Sequence, residues 1–125
     1  MTARAAAIDA SAVTLSGLCL IHCMALPLLA AFLPVAGVFA EAEWVHKAFV
    51  AAALPVSGFA IVRSWKSRGG TGFTLLAILG LTLLVSAAFV PALHAYETPL
   101  TVTGALLLGS AHIWRWNRHA RTLQE

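Results

Sequence analysis

Apolar and polar positions alternate along this chain in blocks rather than in the short periods of a soluble fold. From Ala10 to Ala40 no Asp, Glu, Lys or Arg occurs, and three further charge-poor runs follow. Together they predict four spans, at about 10–39, 44–63, 72–93 and 99–114. A bilayer core is crossed by about 20 apolar residues rising about 1.5 Å each, so the first run is long enough to span with tilt or a kink to spare.

The connections are short. Residues 67–72, Ser-Arg-Gly-Gly-Thr-Gly, suit a tight turn between two helices, and the others are 41–43 and 94–99. Pro99 fits a first helical turn, where its missing N–H is no loss. Pro27, Pro34, Pro55 and Pro91 fall inside or near the ends of spans and are expected to kink or end them.

Composition supports the same class. The chain is 60% apolar and 10% charged, with a mean hydropathy of +0.86, outside the range of an ordinary soluble domain. Its 125 residues make one domain, 1–125, with no polar stretch long enough to fold separately. The net charge of +3 and pI near 9.4 do not indicate nucleic acid, because the basic residues lie at the borders of apolar runs. Arg63, Lys66 and Arg68 flank the second connection, and Arg115, Arg118 and Arg121 follow the fourth span. The excess of Lys and Arg on cytoplasmic loops therefore puts both termini inside. Glu41, Glu43 and Glu97 lie on the opposite, outward side, with Trp44 and Tyr96 as interfacial aromatics there and Trp65, Trp114 and Trp116 at the other border. The expected fold is all-α: an integral membrane four-helix bundle, antiparallel, with both termini cytoplasmic.

Chemistry concentrates in the first span. Cys19-Leu-Ile-His22-Cys23 holds both cysteines of the chain. At about 100° per residue, Cys19, His22 and Cys23 share one helix face, with the sulfurs about one turn apart. Thiolate and imidazole suit soft or borderline cations such as Cu(I) and Zn(II), whereas hard ions prefer oxygen. A disulfide at this spacing on one helix has poor geometry, so the thiols are expected free. With the termini inside, Cys19 to Cys23 and His112 are expected in the same cytoplasmic half, where His112 completes the site. Glu41, Glu43, His46, His94 and Glu97 are expected to form a weaker outer vestibule. His119 reads as a solvated interface residue.

On Leu18-Cys19-Leu-Ile-His22-Cys23 followed by Ala25-Leu26-Pro27, and on His46, His94 and Ala111-His112 in the later spans, the chain resembles the MerC-type mercuric-ion transporter family over nearly its whole length. The resemblance implies a four-helix bacterial inner-membrane protein of mercury resistance. In that family a cysteine pair in the first helix accepts Hg(II) and moves it toward the cytoplasm, a role that falls here on Cys19 and Cys23. The tail from Arg115 to Glu125 has no cysteine, so hand-off falls to a separate thiol-bearing cytoplasmic partner.

The expected function is therefore carriage of a soft metal cation, Hg(II), Zn(II) or Cu(I), with no resident cofactor, no enzymatic activity and no nucleic-acid partner. A haem- or redox-associated protein using His22, His46, His94 and His112, and a ligand-free membrane assembly factor, stay open as alternatives. So does removal of the first run as a signal segment at Val38-Phe39-Ala40, although that run is longer than a signal core and holds two prolines. Gly80, Gly104 and Gly109 permit close helix approach, including that of a homo-oligomer.

Overall fold

The computed structural model describes residues 3–33, 35, 42–65 and 70–122. Four helices carry these residues: α1 (Ala3–Phe32), α2 (Glu43–Trp65), α3 (Gly70–Phe89) and α4 (Glu97–Thr122), with a 3₁₀ segment, Pro91–Tyr96, between the last two. Pro34, Glu41, the 38–40 cleavage-like triplet, Lys66 and residues 67–69 of the glycine-rich turn lie outside the described residues.

Among the described residues, three helical stretches are long and apolar enough to cross a membrane: Ala3–Ala25, Glu43–Trp65 and Gly70–Phe89. The fourth expected span, 99–114, is not among them. It lies inside α4, whose 26 residues rise about 39 Å but dilute their apolar content with Thr101, Thr103, Ser110, His112 and Arg115. These hydroxyls stay within the helix. Thr101 and Thr103 donate to the carbonyls of Glu97 and Pro99, each at 2.7 Å, and Ser110 donates to Leu106 at 2.6 Å. Such back-bonding satisfies a hydroxyl where no water is at hand.

The sorting of side chains is the reverse of a soluble protein's. Leu28, Phe32, Val62 and Leu75 point outward, while Ser57, Ala60, Ala77 and Ala111 are fully buried. In lipid, large apolar groups gain nothing by turning inward, and small residues inside let the backbones approach. Exposed apolar flanks on long apolar helices make this a multi-pass membrane protein.

α3 and α4 approach each other closely at two glycines. A β-carbon added to Gly80 would stand 2.9 Å from the Gly104 carbonyl oxygen, and one added to Gly104 would stand 2.9 Å from that of Gly80. Gly109 likewise makes room for Ser16 of α1, whose Cβ would be 3.2 Å from an added methyl. These glycines are thus occupied in packing within one chain.

Helix boundaries differ from the sequence expectation in two informative places. The first span begins at Ala3 rather than near Ala10, so Arg4 and Asp9 belong to the helix. Likewise, 94–99 is not a loop. Val90 leaves the helical conformation ahead of Pro91, as a residue before proline tends to, and the 3₁₀ turn feeds α4 directly at Glu97. Pro99 sits in the first turn of α4, while Pro55 lies inside α2.

Candidate functional site

Cys19, His22 and Cys23 occupy the inward face of α1 and are all buried. Both cysteines are free thiols, and the two thiols interact with each other. Cys23 Sγ lies 3.3 Å from Nε2 of His46, one turn into α2. The His46 ring stands edge-on to His22, with centroids 4.9 Å apart and planes at 88°. On its other side, His46 Nδ1 is 2.6 Å from Oε1 of Glu97, the first residue of α4. That carboxylate sits out of line for a hydrogen bond from the ring, so the pairing is an electrostatic contact with the ring N–H dipole. It nonetheless favours the ring proton on Nδ1 and leaves Nε2 to accept from the Cys23 thiol. Nε2 of His22 is buried among these groups with no hydrogen-bond partner.

Residues assigned from the sequence to two places therefore meet in one. His46 and Glu97, expected in an outer vestibule, touch the thiol cluster. His94 stays at its rim, 3.6 Å from Glu97 and largely exposed, and Glu43 is drawn away into an exposed pair with Lys47 at 2.7 Å. No three His, Cys, Asp or Glu side chains among the described residues are already arranged to hold a metal ion.

His112 departs from expectation. Its Nδ1 donates to Asp9 Oδ1 at 2.7 Å, and its Nε2 faces Ser57 Oγ at 3.4 Å. Asp9 precedes Cys19 by ten residues, about 15 Å of helix, so His112 is not in the thiol half and does not complete the thiol site. Arg115, one turn further along α4, holds the same carboxylate. Its Nε donates to both Asp9 oxygens at 3.0 and 3.1 Å, and its Nη1 donates to Ala60 O at 3.0 Å and Ser64 Oγ at 2.9 Å. Phe73 of α3 closes the cluster, with its ring 5.1 Å from that of His112 and 4.7 Å from the Arg115 guanidinium carbon.

Arg115 is accordingly a buried pairing residue, where the sequence reading had it as a loop cation setting orientation. Asp9, Ser57 and Arg115 were missed as site residues. A signal for them existed: Asp9 is the chain's only aspartate, placed at the mouth of an apolar run, and His112 and Arg115 are spaced i, i+3 on one helix face. His119 is exposed, as expected. Partial burial, followed by the nearby Arg115 charge, holds its imidazole below the usual value.

Between the two clusters lies a cavity of about 20 Å³, lined among others by Ser16, Cys19, His46, Ser57 and Thr101. It has room for about one water.

The family model for the MerC mercury resistance protein matches residues 9–117, from Asp9 through both clusters. The chain belongs to the MerC family. Comparison with curated proteins and with solved structures finds no match. As a MerC protein with exposed apolar helices, it is a multi-pass membrane protein of mercury resistance and transport.

Proposed function

We propose that this MerC protein is a carrier, not an enzyme, for a soft metal cation in the bacterial inner membrane, with Hg(II) as cargo and Zn(II) or Cu(I) as possible competitors for the same donors. The chain is taken to cross as an antiparallel four-helix bundle with both termini cytoplasmic. Cys19 and Cys23 bind the ion as thiolates, and His22 and His46 supply nitrogen beside them. The observation that carries the reading is the buried, unpartnered Nε2 of His22 within the Cys23–His46 cluster. An orphaned polar atom costs about 1–3 kcal/mol in a protein interior, a cost that a ligand's arrival relieves.

The cation displaces the thiol proton, so an apolar site that disfavours a free thiolate still takes up metal. Glu97 acts through His46, holding the ring so that Nε2 is turned to Cys23. Since His46 and Glu97 lie at the starts of α2 and α4, the thiols stand at the end of the bundle assigned to the outer face. The ion is then captured near its point of entry and released inward to a thiol-bearing partner.

The test is Hg(II) binding, followed by the sulfur-to-mercury charge-transfer absorbance, together with uptake by proteoliposomes. Cys19→Ser and Cys23→Ser should each abolish uptake and remove most of the absorbance. Undiminished uptake by the double variant would overturn the proposal.

A further inference from the structure

Buried ionisable groups in a membrane span are costly and mark ion or proton pathways. The Asp9–His112–Arg115 cluster has no part in gripping the ion, so its chemistry calls for a separate account. A carboxylate only accepts hydrogen bonds, so the ring proton of His112 lies on Nδ1, toward Asp9. In the neutral ring Nε2 then carries a free electron pair facing Ser57 at 3.4 Å, and Ser57 lines the same cavity as Cys19. Ser16 lies one turn from Cys19 on α1 and faces that cavity too.

We propose that His112, oriented by Asp9 and reached from the thiols through Ser16 and Ser57, is a proton acceptor that couples ion uptake to proton transfer toward the opposite end of the bundle. The inference rests on thiolate binding of the cation as set out above. When the cation binds, the Cys19 S–H bond breaks and its electron pair goes to the sulfur–metal bond. The proton passes along Ser16, a water in the cavity and Ser57, and a new N–H bond forms at His112 Nε2. Asp9 stabilises the resulting imidazolium. No oxidant or reductant is needed.

The groups facing His112 are consistent with this role. Asp9 comes from α1, Ser57 from α2, the Phe73 ring from α3 and Arg115 from α4, with His119 within electrostatic reach of Asp9 and Arg115. The bidentate Arg115 contact keeps Asp9 in place, and the guanidinium charge is shared with Ala60 O, Ser64 and the Phe73 ring. The order Ser57, His112, Asp9 is also that of a hydrolytic triad. A nucleophilic role does not fit, because the Ser57 hydroxyl opens onto about 20 Å³, too little for a scissile group.

The experiment adds Hg(II) to the full-length protein in nanodiscs. It follows the charge-transfer band, the protons released to a pH indicator and the nitrogen-15 spectrum of His112. The wild type should show the band, convert His112 from the Nδ1–H tautomer to imidazolium and release about one proton fewer per bound ion than His112→Gln. Ser57→Ala should keep the band and slow conversion of His112 at least ~10-fold. A band with His112 still neutral overturns the proton role alone, and so does equal proton release by wild type and His112→Gln. Absence of the band in the wild type overturns the thiol carrier, and with it the source of the proton. The state of His112 is read on the wild type, so that outcome does not depend on the variants folding.

Discussion

Asp9 and Arg115, 106 residues apart in the chain, are joined inside the protein by hydrogen bonds of 3.0 and 3.1 Å from one guanidinium nitrogen to both carboxylate oxygens. The pair ties the beginning of α1 to the later part of α4, and through Ala60 and Ser64 it also secures α2.

Removing one member leaves the other charge buried and uncompensated, which costs about 3–5 kcal/mol. Asp9→Asn and Arg115→Met should each lower the unfolding midpoint in detergent micelles. The double variant should lose less than the sum of the two, because the change that removes the second charge also removes the penalty left by the first. Additive losses would show that the pair is not a unit.

Glu97→Gln leaves the shape of the His46 contact but removes its charge, and His46→Gln removes the ring that faces Cys23. Both should weaken Hg(II) binding by about 10- to 100-fold, the range seen for groups that orient metal ligands. Glu43→Gln, in the exposed pair with Lys47, should leave it unchanged. Titration of the charge-transfer band checks all three.

Binding of a cation by two thiols expels protons, so apparent affinity must rise with pH. If His112 retains one of the two, the wild type should gain about tenfold per pH unit and His112→Gln about 100-fold, each proton released adding one power of ten. Binding isotherms over two pH units separate the slopes.

Gly80→Val directs a side chain at the Gly104 backbone oxygen, 2.9 Å from the first added carbon. Backbone does not yield as a flexible side-chain end does, and overpacking of this kind costs about 1–3 kcal/mol or more. Gly58→Ala meets nothing within 4 Å and should be neutral or mildly stabilising, by up to about 1 kcal/mol. Comparison of the two unfolding midpoints tests whether α3 and α4 pack at this crossing in the bilayer.

Much of the architecture is legible in the order of residues, because lipid imposes a simple rule. A chain without water must satisfy its backbone internally, so long charge-free runs become helices. The all-α class, the free thiols on one face of α1, Pro99 in a first turn and the small residues that admit close packing all follow from that rule and from helical geometry. Membership in MerC was visible in the Cys19-Leu-Ile-His22-Cys23 block itself.

Tertiary structure decided which polar groups share an interior. Charge was read from the sequence as a marker of membrane borders, so Arg115 was placed past the fourth span and His112 was assigned to the thiols, while Asp9 was given no role. In the folded chain the two charges neutralise each other across helices, and this pairing takes His112 with it. His46, read as part of an outer vestibule, instead lies against Cys23, with Glu97 behind it, because α2 and α4 begin beside the sixth turn of α1. A one-dimensional pattern reports how much each segment favours lipid. Which buried charges meet depends on the depth and rotation of packed helices, and those are set by contacts such as Gly80 on Gly104 and Ser16 on Gly109 that no single segment encodes.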